Sequence, residues 1–272
     1  MNAICRCELR SVWARAWAAA LTLSCAAASA APVEEIVRLP SEGGAVSPYL
    51  RSWDDGREVK VAAVLFTGGG GSVGLQRGIP KPGANFLVRS RQLFLEQGIA
   101  TAVIDVPSDV GSMSDGFRSS ARHARDVAAV LADLKQRFAG VRVFLVGTSR
   151  GTVSAAHTAA ALGNEVAGVA LTSSVFRSSR GGGAGLLGFD YASIASSVLL
   201  VHHVDDACPA TPYWEAKALS KKYPLVSVSG GDPARSDPCE PFSAHGYLGR
   251  EAPTVSAISR WMLGLEFART IP

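Results

Sequence analysis

Gly147-Thr148-Ser149-Arg150-Gly151 follows the apolar run Val141–Val146 and precedes the alanine-rich stretch Gly151–Leu162. A serine flanked at two-residue spacing by glycines, with a strand before it and a helix after it, is the pattern of a nucleophile elbow. The turn between strand and helix is so tight that any side chain at the glycine positions would strike its neighbours. Ser149 is thereby pushed out above the edge of a sheet, where a substrate carbonyl can reach its hydroxyl.

Outward from this motif, strands and helices alternate. Val33–Leu39 and Ala45–Ser52 read as antiparallel edge strands separated by Ser41-Glu42-Gly43-Gly44. Val61–Phe66, Ala100–Val106, Val141–Val146, Val166–Leu171, Val198–Val201 and Leu225–Ser229 are short apolar runs of the kind buried on both faces of a parallel sheet. Between them, Asn85–Gln97, Phe117–Phe138, Gly151–Leu162, Pro212–Tyr223 and Pro253–Leu265 read as helices. The long Phe117–Phe138 helix sets Ala121, Ala124, Val127, Ala128, Leu131 and Leu134 on one face, and its His123 reads as solvated. The alternation predicts one α/β domain with a mostly parallel, doubly wound sheet and helices on both faces. With 272 residues, 47% of them hydrophobic, the chain can bury a large core.

A formal charge of +4, with no basic cluster interleaved with aromatics, argues against nucleic-acid binding. The N-terminus carries Arg6, Arg10 and Arg15, then the short apolar run Ala16–Leu23, then Ala28-Ser29-Ala30. This is the pattern of a cleavable signal peptide over residues 1–30, and its apolar run is too short to span a membrane. The mature chain would begin at Ala31 in the periplasm or outside the cell. Lipid attachment at Cys25 is a weaker alternative, since Thr22-Leu23-Ser24 matches the required signal poorly. Cys5, Cys7 and Cys25 leave with the signal; Cys208 and Cys239 remain, and an oxidising compartment would join them. Closing a loop of about 30 residues contributes roughly 3–4 kcal/mol in the chain-entropy model.

Chemistry-bearing residues gather after strand ends, where open α/β sheets place their sites. Ser149 follows one strand, His202-His203-Val204-Asp205-Asp206 another, and His245 lies between Leu225–Ser229 and the last helix. The order serine, aspartate, histidine resembles that of the α/β-hydrolases, and the chain from Val33 to Leu265 looks most like their dienelactone-hydrolase-like branch. In that branch an apolar strand runs into His-Gly, two residues, then Asp. Here Val198-Leu199-Leu200-Val201 runs into His202, with His203 in place of glycine and Asp206 four positions on.

The resemblance implies the α/β-hydrolase fold without a large cap, since Thr172–Ser197 is too short for one. It implies Ser149 as nucleophile, His245 as base and Asp206 as the orienting acid, with Asp205 as rival. Thr67-Gly68 stands where relatives carry His-Gly, so the backbone N–H of Gly69, or else Gly70, would donate to the oxyanion together with that of Arg150. The four glycines lack the Lys-Ser/Thr of a phosphate-binding loop. His157 reads as a packed helix residue. His202, His203, Asp205 and Asp206 could suggest a metal, but successive strand residues face opposite ways and no second ligand cluster follows. No metal or cofactor is expected.

The expected activity is that of an exported serine hydrolase forming an acyl-enzyme on small-molecule esters. Activity should fall as His245 takes up a proton. A peptidase or amidase, and a non-catalytic binding protein on the same fold, are the alternatives; oligomeric state is not fixed. Phe176, Leu186, Leu187, Phe189 and Tyr191 are expected to contact substrate, with Gly74–Ala84 as the opposite wall. Arg77, Arg150, Arg177 and Arg180 could favour an acidic substrate, although each reads better as a solvated or ion-paired charge. A Cys208–Cys239 bridge would tie the acid loop to the base loop and hold the two in register.

Overall fold

A computed structural model describes residues 32–80, 83, 85–178 and 183–272. The expected signal peptide lies outside the described residues. Strands β1 (Val33–Pro40), β2 (Val46–Trp53), β3 (Val61–Phe66), β4 (Ile99–Ile104), β5 (Arg142–Thr148), β6 (Gly168–Thr172), β7 (Ser197–His203), β8 (Leu225–Val228) and β9 (Thr270–Ile271) form one sheet. Their order is β1-β2-β4-β3-β5-β6-β7-β8-β9. β1 pairs with β2, and β2 with β4, antiparallel; every other pairing is parallel.

The central strands are apolar and buried on both faces, and their period of two divides the core. Ala62, Val64 and Phe66 of β3 point to one side with Val143 and Leu145 of β5. Val61, Ala63 and Leu65 point to the other with Phe144 and Val146. The first side is covered by α4 (Ala121–Arg137), α5 (Gly151–Leu162) and α6 (Tyr213–Leu219). The second is covered by α1 (Phe86–Arg89), α2 (Arg91–Glu96) and α7 (Glu251–Met262). This is the α/β-hydrolase fold. Between β6 and β7 the described residues contain no α-helix.

Two expected helices are broken. The Asn85–Gln97 segment is capped by Asn85 Oδ1, which accepts from Leu87 N at 3.0 Å, but turns at Ser90 between α1 and α2. The break lets the buried Arg91 guanidinium reach Val88 O at 2.8 Å and Glu34 Oε1 at 2.8 Å. The Phe117–Phe138 segment divides into α3 (Asp115–Arg118) and α4, because two serines cap separate N-termini. Ser114 Oγ accepts from Phe117 N at 3.1 Å, and Ser120 Oγ from His123 N at 3.2 Å. His123, expected in solvent, is buried against Phe66 and Phe117. Pro212 stands outside α6 as its N-cap, and α7 starts two residues before Pro253, which falls in the first turn, where its missing N–H costs nothing.

Candidate active site

β5 ends at Thr148 and α5 begins at Gly151, leaving two residues to reverse the chain. Ser149 takes φ +53°, a left-handed conformation that costs a non-glycine residue energy. A Cβ on Gly147 would lie 2.5 Å from Gly151 O, and one on Gly151 would lie 2.0 Å from Phe66 O. Both glycines are therefore obligatory. The turn is clamped from two sides: Ser149 N donates to Thr172 O at 3.0 Å, while Thr152 N and Thr152 Oγ1 donate to Ser149 O at 2.9 and 2.6 Å.

The glycine run after β3 lies against this turn. A Cβ on Gly68 would come within 2.9 Å of Ser149 Cβ, so only glycine lets the two loops approach so closely. Gly71 N donates to Gly68 O at 3.1 Å, closing a turn in which Gly69 has φ +55°. The N–H groups of Gly69, Gly70 and Arg150 have no acceptor among the described residues. The side chain of Arg150 turns instead to Asp115 Oδ1, with Nε at 2.9 Å and Nη2 at 2.8 Å. Asp115 Oδ2 accepts from Gly185 N at 3.0 Å, tying the elbow to the β6–β7 connection. Arg177 pairs with Glu215 at 2.7 Å and Arg77 is exposed, so neither offers an acid-binding group in the cleft; Arg180 lies outside the described residues.

At the ends of β7 and β8, Asp206 Oδ2 stands 3.0 Å from His245 Nδ1. Asp205 is exposed, and its N–H donates to His203 Nδ1 at 3.1 Å. Burial pushes the Asp206 carboxyl up, but the hydrogen bond and charge of His245, the charge of His202 and the N–H of Cys208 outweigh it. The net effect holds Asp206 below the usual carboxylate range. An ionised carboxylate on Nδ1 fixes the neutral ring as the Nδ1–H tautomer and leaves the lone pair on Nε2. His245 Nε2 is buried and has no hydrogen-bond partner among the described residues, Ser149 Oγ included.

Several supports carried no sequence signal. Thr211 Oγ1 donates to Asp206 Oδ2 at 2.8 Å and lies 3.2 Å from His245 Nδ1. Ser173 Oγ donates to His245 O at 2.8 Å, and Tyr247 Oη accepts from Ser173 N at 2.9 Å while donating to Val201 O at 2.8 Å. Ser173 and Tyr247 have φ of +44° and +58°. His203, at the position of glycine in the resemblance, ties β7 to the end of β8 through Nε2 and Gly230 O at 2.9 Å. His202 is wholly buried between Phe176 and Tyr213, and both ring nitrogens lack partners among the described residues. His157 packs on Phe189.

Ser149, Gly69, Arg150, His245 and the Cys208–Cys239 disulfide all line one cleft of about 1040 Å³, with Asp206 behind His245. Its walls differ from expectation. Phe176 and Leu186 are buried in the core, Phe189 and Tyr191 pack on that core, and Leu187 is exposed away from the cleft. The walls are instead residues 207–211, residues 237–241 and Phe86. Of Gly74–Ala84, Lys81, Pro82 and Ala84 lie outside the described residues and the others do not line the cleft. Among the described residues, no group of three His, Cys, Asp or Glu side chains is placed to share a metal ion. Nor is any described helix long and apolar enough to cross a membrane.

No protein-family model and no curated relative matches this chain. Solved structures do. A cold-adapted esterase from an Arctic intertidal metagenomic library is 18% identical, with TM-score 0.53 over 73% of this chain and 85% of that one. An α/β serine hydrolase without a lid from Xanthomonas campestris is 14% identical, with TM-score 0.56 over 85% and 94%. A dienelactone hydrolase from Anabaena variabilis is 15% identical, with TM-score 0.57 over 86% and 98%. At these identities the likeness establishes a shared α/β-hydrolase fold.

Proposed function

We propose that the protein is an exported serine hydrolase that cleaves small-molecule carboxylic esters through an acyl-enzyme. The observation that carries this reading is the left-handed Ser149, whose cleft also holds His245, backed by Asp206 at 3.0 Å. Strain at a single serine on a cleft wall is expensive to maintain and has a purpose when its hydroxyl must face substrate.

In this mechanism Ser149 Oγ attacks the ester carbonyl while His245 Nε2 takes its proton. Asp206 holds the ring and stabilises the imidazolium. The oxyanion is met by the N–H groups of Gly69, with Gly70 beside it, and Arg150, whose donors have no acceptor among the described residues. His245 returns the proton to the departing alcohol, then activates the water that releases the acid. The bridge between Cys208 and Cys239 agrees with passage through an oxidising compartment.

The test is a panel of p-nitrophenyl esters graded by acyl length, run on the parent and Ser149→Ala, with fluorophosphonate labelling of both. The parent should label and hydrolyse; Ser149→Ala should do neither. Equal hydrolysis by the two proteins would remove the reading.

A further inference from the structure

Arg118, the last residue of α3, is 1% exposed and belongs among the largest fully buried side chains of the protein. Among the described residues it has no ion-pair partner. Its guanidinium donates to neutral groups at all three nitrogens: Nε to Met113 O at 3.2 Å, Nη1 to Ser154 Oγ at 3.0 Å and Nη2 to Gly69 O at 3.1 Å. Asp115, the carboxylate whose charge acts on it, is already engaged by Arg150 and Gly185 N. Burial, followed by the like charge of Arg150, pulls the Arg118 guanidinium down to about 10 against the pull of Asp115, which still leaves it charged at neutral pH.

An unpaired buried cation destabilises a fold, and an apolar side chain of similar volume would fill the space without that cost. The place where the cost falls is informative. Gly69 O belongs to the peptide joining Gly69 to Gly70, inside the loop that faces Ser149. In a trans peptide the N–H opposes the C=O, so a carbonyl held by Arg118 turns the Gly70 N–H away from it. A charged donor on the carbonyl also polarises that N–H. The loop is built around the guanidinium, since a Cβ on Gly71 would lie 2.9 Å from Arg118 Nη2.

We propose that Arg118 is a positioning residue of the reaction: it fixes the Gly69–Gly70 peptide of the oxyanion loop and sets a permanent positive charge behind it. The charge is spectator to the neutral ester and attractive to the tetrahedral oxyanion, so its effect falls on kcat rather than KM. This rests on the serine-hydrolase reading above.

The experiment measures kcat and KM for p-nitrophenyl butyrate in the parent, Ser149→Ala, Arg118→Gln and Arg118→Lys, with a boronic acid as tetrahedral-adduct inhibitor. Arg118→Gln should lose about 10-fold or more in kcat with KM within twofold, and its boronic acid inhibition constant should rise in parallel. Arg118→Lys should recover most of kcat at neutral pH. Its buried amine should lose a proton at lower pH than the guanidinium, so its kcat should fall at alkaline pH where the parent's holds. That alkaline limb decides the matter even where Arg118→Gln does not fold. A Ser149-dependent parent whose kcat is unchanged in Arg118→Gln overturns this inference alone, as does a Lys variant as impaired as the Gln variant or lacking the alkaline loss. A parent no faster than Ser149→Ala overturns the hydrolase reading and this inference with it.

Discussion

Opening the disulfide separates two effects that the fold combines. Cys208 lies two residues beyond Asp206, Cys239 six before His245, and the bridge closes a separation of 31 residues. In the chain-entropy model a loop of that length removes about 12 cal/mol/K from the unfolded ensemble, or about 3.7 kcal/mol at 25 °C. At about 2–4 °C per kcal/mol for a chain of this size, Cys208→Ala/Cys239→Ala should lower Tm by roughly 7–15 °C.

The activity should change less. The Cys208 N–H that donates to Asp206 Oδ1 at 3.0 Å is backbone and survives the substitution. The loop carrying His245 has other ties, since Ser243 Oγ donates to Glu240 O at 2.8 Å and accepts from His245 N at 3.2 Å. Loss of the tether therefore loosens the Asp206–His245 pair without abolishing it, and kcat on a short ester at 25 °C should fall by about three- to tenfold, or ~1 kcal/mol. Thermal melts by circular dichroism and steady-state kinetics on the same preparation measure both. A parental Tm would refute the entropic argument; a lowered Tm with parental kcat would refute the idea that the bridge holds acid and base in register.

Tyr247→Phe removes a fully buried hydroxyl that accepts from Ser173 N and donates to Val201 O. It should cost about 1–3 kcal/mol in urea denaturation and lower kcat, because Ser173 also holds the His245 carbonyl; parental values of both would count against that network. Acid should destabilise the fold well above carboxylate pH. Burial, helped by Arg118, lowers His123 to about 3, and burial lowers His202 to about 4 against the pull of Asp206, both from an ordinary 6.5. Folded values below the unfolded one mean that the unfolded chain takes up protons first as pH drops under 6.5, so by pH 5 each histidine costs about 2 kcal/mol. Asp206, held low, adds its own loss only below about pH 4, the ordinary carboxylate range. Urea midpoints at pH 7 and pH 5 for the parent and His123→Phe measure the effect, and the same pH dependence in both would refute it.

Much of the scaffold was legible because it rests on local patterns. Val61–Phe66 and Gly151–Leu162 have the expected bounds, one as an uninterrupted apolar run and the other opened by the glycine of the elbow. The placement of Asp206 beside His245 agrees with the spacing from His202, and the bridge joins Cys208 and Cys239, the two cysteines beyond residue 30. What stayed hidden depends on tertiary context. An arginine in a helical stretch reads as a solvated charge, yet Arg118 and Arg91 are buried and donate to backbone carbonyls that only the fold brings to them. Apolar loop residues read as a substrate wall, yet Phe176 and Leu186 were needed by the core. The polar segment around Asp237 and Glu240 became a wall because the disulfide draws it to Cys208. Nothing in the sequence marks Ser173 or Tyr247 as left-handed, since that conformation is imposed by the hydrogen bonds around them.

The non-glycine residues with positive φ among those described, Ser149, Ser173 and Tyr247, form one connected group. Ser149 N is held by Thr172 O, Ser173 follows Thr172 and meets Tyr247 Oη, and Tyr247 stands two residues past His245. Unpaired buried groups sit beside them: the Arg118 cation under the glycine loop, and His202 next to the Asp206–His245 pair. Each such feature costs of order 1–3 kcal/mol. The three left-handed residues meet at one rim, above largely apolar central strands, so backbone strain is concentrated there. That is where a covalent tether has the greatest effect, and it explains why Cys208 and Cys239 line the cleft rather than closing a distant loop. The sheet below and the crosslink beside it together hold this hydrogen-bonded rim in place.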